Sequence, residues 1–117
     1  MKLITKTQLH QLHKNYEKNQ KIIETSGDTI DFKPIIKLFT PWKNCTWLLS
    51  ELSPEGIGFG LCDLGFGEPE MGYVDLNELT GIKGPFGLTI ERDRLFEASK
   101  TLCEYAKDAR QCGYIVP

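Results

Sequence analysis

The middle of the chain is a succession of short apolar runs separated by turn-forming residues, and this restricts the fold to one built around a small sheet. The runs occupy residues 34–40, 45–52, 57–64 and 71–76. Between them lie Pro41, a Ser-Pro-Glu-Gly stretch and a glycine-rich stretch that ends at Pro69. Each run has the length of a β-strand, and connectors this short join antiparallel neighbours. We therefore predict four antiparallel strands, with 88–95 as a candidate fifth.

A helix is expected on each side of this sheet region. Thr5 and Gln8 have the spacing of a capping box, and apolar residues then recur at helical intervals at Leu9, Leu12 and Tyr16. Thr101 and Glu104 repeat the capping-box spacing, and Gly113 supplies a stop signal for the second helix. Asp75 is a further candidate N-cap, for a short helix after the fourth run.

Together these elements predict an α+β fold in one domain, since 117 residues with 40% hydrophobic content suit a single core. The expected organisation is an N-terminal helix within 1–24, a sheet region over 31–95 and a C-terminal helix over 100–112. The sheet has four to five antiparallel strands, with both helices packed on it.

The run from Glu55 to Cys62 interleaves glycine with apolar residues. It lacks the spacing and the lysine of a phosphate-binding loop, and it lacks the basic start of the aromatic strand of an RNA-recognition module. Gly58 and Gly60 lie on one face of the predicted strand. We expect them to permit close approach of another backbone or a bulky side chain, and to mark a bend or bulge.

Charge is distributed unevenly although the net formal charge is only -2. Residues 45–82 contain seven acids and no Lys or Arg, so a partner that meets this hairpin region is expected to be basic there. Trp42 lies in a predicted loop and is expected to be exposed, which favours a contact role. The candidate partner-binding residues are Trp42, Asp63, Glu68, Glu70 and Tyr73. The alternative is that the acids serve solubility alone.

Two other functions remain open. The lysines of the N-terminal helix are candidate nucleic-acid contacts: Lys6, Lys14, Lys18 and Lys21. A small enzyme would use Lys37, Asp63 or Glu70, with Asp63 as a possible partner of Lys37. The structural alternatives are that Asp63 forms an Asx-type turn with Gly65, and that the Lys37 stem lies across the sheet with its ammonium in water. A catalytic role is the less favoured reading.

No metal or cofactor is expected, because the four cysteines show no paired ligand spacing and no histidine lies near them. The start of the chain lacks the pattern of a signal peptide, and no apolar run approaches the roughly 20 residues of a membrane span. Reduced thiols and a cytoplasmic location are the expectation. The oligomeric state stays open.

Several segments resemble one bacterial family, the domain of unknown function numbered 2958. They are DFKPIIKLFTP, CTWLLSEL, FGLCDLGFGEPEMGYVDLNEL, ERDRLF and KTLCEYAKDAR. The likeness covers most of the chain from Asp31 onward. It implies cargo of plasmids, conjugative elements and phages that travels with anti-restriction and DNA-maintenance genes, and it brings no established activity or catalytic residues. The prediction is therefore a non-catalytic interaction module, anti-defence or regulatory, that binds a protein partner.

Overall fold

The first helix begins where its capping box predicts. The computed structural model describes residues 3–25 and 27–117, so residues 1 and 2 of the predicted N-terminal segment lie outside the described residues. Helix α1 spans Lys6–Glu24, with Thr5 as its N-cap. The Gln8 N–H donates to Thr5 Oγ1 and the Thr5 N–H donates to Gln8 Oε1, each at 3.1 Å. Two of the backbone N–H groups that lack intrahelical partners at the start of the helix are thereby satisfied.

The buried face of α1 differs from the apolar stripe that hydropathy predicts. The residues facing the sheet are Leu12, Asn15 and Asn19, whereas Leu9 is 37% exposed and Tyr16 is half-buried. Two asparagines are thus buried where a purely apolar face would be simpler. Their amides bind backbone and side-chain groups of the sheet region, which offsets the cost of removing them from water.

The predicted antiparallel sheet is present and has five strands in the order β4-β3-β2-β1-β5. The strands are β1 (Ile36–Phe39), β2 (Thr46–Leu52), β3 (Ile57–Asp63), β4 (Glu70–Asp75) and β5 (Glu91–Arg92). The first four form a meander, and β5 returns beside β1. Strand β5 pairs over only two residues of the predicted 88–95. A 3₁₀ turn at Pro85–Gly87 precedes it. A turn follows Arg92, and the Asp93 N–H donates a hydrogen bond to the Lys37 carbonyl.

The short helix after the fourth strand is α2, Leu76–Thr80, with the predicted N-cap Asp75. The C-terminal helix is α3, Leu102–Cys112, with the predicted capping box at Thr101. Gly113 ends α3 in the left-handed conformation at φ 83°, where an L-residue would be strained.

Helices α1 and α3 cover opposite faces of the sheet. Alternate residues of β2 divide between the two: Trp47 and Leu49 pack in one cluster with Leu12 of α1, and Leu48 packs in the other with Ala106 of α3. The alternation follows from the two-residue period of a strand. It explains why the second apolar run is almost continuously hydrophobic, since both of its faces are buried.

A β-bulge at Ser50 interrupts this alternation. The pairing of β2 with β3 shifts between Leu49 and Glu51, which leaves Ser50 as the additional residue. The Ser50 carbonyl accepts a 3.0 Å hydrogen bond from Asn15 Nδ2. Gly60 lies opposite Leu49, and a Cβ at Gly60 would lie 1.9 Å from the Leu48 carbonyl oxygen. The expected close approach at Gly60 is therefore confirmed, and the neighbour is the β2 backbone.

Gly60 and Gly72 form a matched pair for testing this constraint, because they are partners across β3 and β4. A Cβ at Gly72 would meet nothing within 4 Å. We predict that Gly60→Ala lowers the free energy of unfolding by roughly 3 kcal/mol or more, since the rigid backbone of β2 must move. Gly72→Ala should stay within about 1 kcal/mol of the parent protein. Urea denaturation of both variants measures this, and equal effects would show that β2 and β3 are not closely apposed at the bulge.

Candidate functional site

A cleft of 290 Å³ opens at the end of the sheet that carries the β2–β3 turn. Its walls are the C-terminal half of α1, the residue Thr29, and strands β2, β3 and β4. Both apolar and acidic side chains line it. Among the described residues these are Tyr16, Asn19, Gln20, Ile23, Thr29, Glu51, Ser53, Glu55, Ile57, Phe59 and Tyr73.

An aromatic pair forms one wall of the cleft. Phe59 and Tyr73 are direct partners in the register of β3 and β4, so their side chains project on the same face of the sheet. Their ring centroids are 5.1 Å apart with the planes inclined by 53°. Tyr73 is 76% exposed. Tyr73 is therefore largely open to a ligand, whereas Phe59 is half-buried against the core.

Glu51 belongs to the same cross-strand row, since it is the β2 partner of Phe59. Its Oε2 atom accepts a 2.8 Å hydrogen bond from Asn19 Nδ2. Asn19 also binds both backbone groups of Ile30: its Oδ1 accepts from the Ile30 N–H at 2.8 Å and its Nδ2 donates to the Ile30 carbonyl at 3.2 Å. One amide therefore fixes the carboxylate and the segment that returns from α1.

The returning segment is also anchored to the opposite helix. The Phe32 carbonyl accepts from the Leu102 N–H at 2.9 Å, and Asp31 Oδ1 accepts from the Cys103 N–H at 3.0 Å. Both N–H groups belong to the first turn of α3, where backbone donors have no acceptor within the helix. Residues 30–32 thus connect α1 to α3 across the end of the sheet, and they hold that wall of the cleft in place.

Burial raises the pKa of the Glu51 carboxyl, and the hydrogen bond from Asn19 only partly opposes this. The cause is the loss of water around the charged form. Ion pairs in the described part of the chain join Lys37 to Asp93 and Lys100 to Asp108, and neither involves Glu51 or Glu55. The cleft thus contains carboxylates that no described cation neutralises.

A second cavity, of 250 Å³, lies at the β3–β4 loop and contains two of the predicted contact residues. Glu68 and Glu70 line it, together with Cys62, Leu64 and Phe66. Phe66 is 83% exposed. Burial raises the pKa of the Cys62 thiol, which lowers the fraction present as thiolate.

The predicted contact residues do not form one surface. Glu70 is the partner of Cys62, whereas Tyr73 projects on the other face of the sheet. Trp42 is half-buried against the core on the α1 side, and its ring lies so close to Gly84 that a Cβ there would be 2.3 Å from it. The expectation of an exposed Trp42 is therefore wrong. Its loop folds back onto the 83–89 segment.

Asp63 is also unavailable as a surface contact, because it is only 3% exposed. Its Oδ1 accepts from the Gly65 N–H at 2.9 Å, which confirms the predicted Asx-type turn. Its Oδ2 accepts from the Ile115 N–H at 3.1 Å. The carboxylate thus holds both the β3–β4 loop and the segment that follows α3.

The three residues of the enzyme hypothesis are separated as well. Lys37 Nζ is 3.2 Å from Asp93 Oδ2, so the partner of Lys37 is Asp93 and not the predicted Asp63. This pairing was not predicted, because Lys37 and Asp93 are 56 positions apart and no local pattern connects them. Asp63 is enclosed by backbone donors, and Glu70 lies on the other face of β3 and β4. They do not form a shared reaction site.

The candidate nucleic-acid contacts Lys6, Lys14, Lys18 and Lys21 are all exposed on α1. Lys14, Lys18 and Lys21 have the spacing of one helical face, which lies away from the sheet. Among the described residues, no group of three or more His, Cys, Asp or Glu side chains is placed to hold a metal ion. The four cysteines are free thiols. No helix in the described ranges is both long and apolar enough to cross a bilayer.

Comparison with known proteins identifies the family. The model of the family described as "Protein of unknown function (DUF2958)" matches residues 3–116. The chain belongs to this family. Neither the curated proteins nor the solved structures include a match. Membership in DUF2958 confirms the resemblance seen in the sequence segments, and it carries no assigned activity.

Of the candidate contact residues predicted from the sequence, Tyr73 alone lines the cleft, and the other lining residues were missed, above all Asn19 and Glu51. One signal was available: Asn15 and Asn19 follow Leu12 at the spacing of one helical face. Another was Glu51, which interrupts the second apolar run. The apolar pattern around Asn15, Asn19 and Glu51 marks their positions as buried. Polar side chains at buried positions indicate that hydrogen-bond partners lie beside them.

Glu51 allows a test of the cleft's electrostatics. Because its folded-state pKa is raised, the folded protein retains this proton to higher pH than the unfolded chain. Its contribution to stability is complete below the unfolded pKa and is lost as pH rises through the folded pKa. We predict that the free energy of unfolding of Glu51→Gln lacks this decline, since glutamine still accepts from Asn19. Urea denaturation between about pH 4 and about pH 7 measures it. Parallel pH profiles for the two proteins would contradict the assignment.

Proposed function

We propose that the protein is a non-catalytic interaction module that binds a basic, extended segment of a partner protein along strand β4. The observation that carries this proposal is the outer edge of β4. The strand is terminal in the sheet and pairs with β3 over six consecutive residue pairs without a register shift. The described residues supply no partner for its other side. Alternate backbone N–H and C=O groups there are free to pair with an added strand.

The two edges of the sheet differ in a way that supports this. Strand β5, at the other edge, consists of only two residues, Glu91 and Arg92, and both are charged. Short strands, lysines, prolines and bulges are the usual devices that prevent strand addition. Strand β4 has none of these between Glu70 and Asp75. A long, regular edge of this kind suits strand addition.

Charge selects the type of segment. The β4 edge is surrounded by acids, and the whole stretch from 45 to 82 lacks Lys and Arg. Glu68, Glu70 and Glu78 are exposed, and Asp75 is half-buried. A second copy of β4 would bring like charges together, whereas a basic strand would be attracted.

The setting is part of the same proposal. The resemblance seen in the sequence implies plasmids, conjugative elements and phages, so the partner would be a host or element protein in the cytoplasm. The consequence of binding would be regulation or protection of the element. The separation of Lys37, Asp63 and Glu70 supports a role without catalysis.

The binding mode is tested with capped peptides in which lysine or glutamate alternates with valine. We predict that the lysine peptide shifts the backbone amide resonances of β4 and slows their hydrogen exchange, while the glutamate peptide does neither. The double variant Glu68→Lys/Glu70→Lys should lose the response, because it reverses the charge beside the edge. Glu91→Lys/Glu97→Lys makes the same change in net charge elsewhere and should keep it. No β4 response to the lysine peptide, or an equal response to both, would refute the proposal.

Capture from a cytosolic lysate extends the test to natural partners. Proteins retained by the parent chain after nuclease treatment should be lost with Glu68→Lys/Glu70→Lys and kept with the control variant. Retention that disappears with nuclease would remove the protein-binding proposal in favour of nucleic acid.

The exposed lysine face of α1 favours nucleic acid as the second candidate. In that case duplex or single-stranded DNA should bind in a salt-dependent manner, because phosphate contacts release counterions. The triple variant Lys14→Gln/Lys18→Gln/Lys21→Gln should then reduce the salt dependence of the binding constant. Fluorescence anisotropy measures both quantities, and a lack of binding at low salt would exclude this function.

A further inference from the structure

The cleft at the end of the sheet has the composition of a site for a positively charged organic group. Its apolar wall is made by Ile23, Ile57 and the Phe59–Tyr73 pair, and its acidic groups are Glu51 and Glu55. No Lys, Arg or His occurs among the described residues that line it. An apolar pocket with a few convergent polar groups is the usual form of a ligand site.

We propose that this cleft binds an organic cation, an ammonium or guanidinium group carried on an apolar body. The carboxylates of Glu51 and Glu55 supply the charge complement, and the Phe59 and Tyr73 rings supply the surface for the body. Aromatic faces attract cations as well as apolar groups, so both parts of such a ligand are accommodated. A neutral apolar ligand would leave the acids without a counterion, and an anion would be repelled.

The site is organised before a ligand arrives. Asn19 holds one oxygen of Glu51 at 2.8 Å, which leaves the other carboxylate oxygen for a ligand. The same amide fixes Ile30, and the register of β3 and β4 fixes the two rings. Because burial has already removed part of the water around Glu51, a cation that binds there has less water to displace. Preorganisation of this kind lowers the cost of binding.

This proposal does not depend on strand addition at β4. The cleft lies on the face of the sheet that carries Tyr73, and the carboxylates that define it are on β2 and on the β2–β3 turn. Glu68 and Glu70 do not line it. Glu51 and Glu55 lie outside β4, so their variants report on the cleft alone, whereas Tyr73 belongs to β4 and its variant is interpreted together with theirs.

Ligand binding is measured by isothermal titration calorimetry and by the side-chain amide resonances of Asn19. The probes are benzylammonium, its neutral counterpart benzyl alcohol and its anionic counterpart phenylacetate. Two sources of the same chemistry are distinguished with acetyl-Gly-Lys-Gly-amide and acetyl-Gly-Arg-Gly-amide, against a norleucine control peptide. We expect benzylammonium to bind and to perturb Asn19, with neither of its counterparts doing so.

Three variants locate the binding. Glu51→Gln keeps an acceptor for Asn19 and removes the charge, so it should weaken binding by about tenfold or more. Glu55→Gln changes an exposed side chain and should weaken binding without altering the fold. Tyr73→Leu should weaken it by roughly two- to fivefold, through loss of the ring face. Glu97→Gln makes the same charge change outside the cleft and should have no effect.

The outcomes separate cleanly. Binding of benzylammonium supports a small-molecule ligand, and binding of the lysine or arginine peptide alone supports a side chain of a partner protein. If no cation binds, if benzyl alcohol binds equally well, or if Glu51→Gln leaves the affinity unchanged, the proposal is overturned. If no cation binds the cleft but the lysine and valine peptide still shifts the β4 resonances, the proposed cation site is refuted and the proposed function stands.

Discussion

The hydrogen bond from Asn15 to the Ser50 carbonyl is the contact on which the arrangement of the molecule depends. A bulge leaves one strand carbonyl without its ladder partner, and a buried carbonyl without a donor costs about 1 to 3 kcal/mol. Asn15 supplies the donor from α1 at 3.0 Å, and both groups are almost fully buried. The bulge and the helix therefore stabilise each other. Gly60 completes the arrangement, because only a residue without a side chain lets the backbone of β2 approach β3 so closely.

The position of the cleft follows from this contact. One helical turn beyond Asn15, Asn19 faces the end of the sheet, where it reaches Glu51 and both backbone groups of Ile30. Because the bulge adds a residue before Glu51, it also sets Glu51 opposite Phe59 and in the same row as Tyr73. A carboxylate, an amide and two rings from four elements thus meet at one place.

The local features of the fold were predictable because their causes are local. Thr5 and Thr101 act as N-caps through contacts three residues away, and Asp63 forms its turn through a contact two residues away. The close approach at Gly60 was predictable from the absence of a side chain in a strand. These inferences need only the chemistry of neighbouring residues.

The site was not predictable to the same degree because its contacts join distant parts of the chain. Asn19 and Glu51 are separated by 32 positions, and no local pattern in the sequence pairs one with the other. Trp42 looked exposed because nothing near it in sequence covers it, and its actual neighbour Gly84 comes from a later segment. Periodicity likewise placed Leu9 on the inner face of α1, since it gives no weight to asparagines that have found partners.

The division of the sheet between two helices affects how the chain folds during translation. The strands precede α3 in the chain and leave the ribosome first, so we expect the face formed by Leu48 and Leu61 to lack its cover until α3 emerges. Helix α1 is available earlier and protects only the other face. We therefore expect the nascent protein to pass through a stage in which the hydrophobic face of the sheet under α3 is exposed to solvent, next to the unpaired edge of β4. Chaperone engagement at that stage would be directed at the side that α3 later occupies.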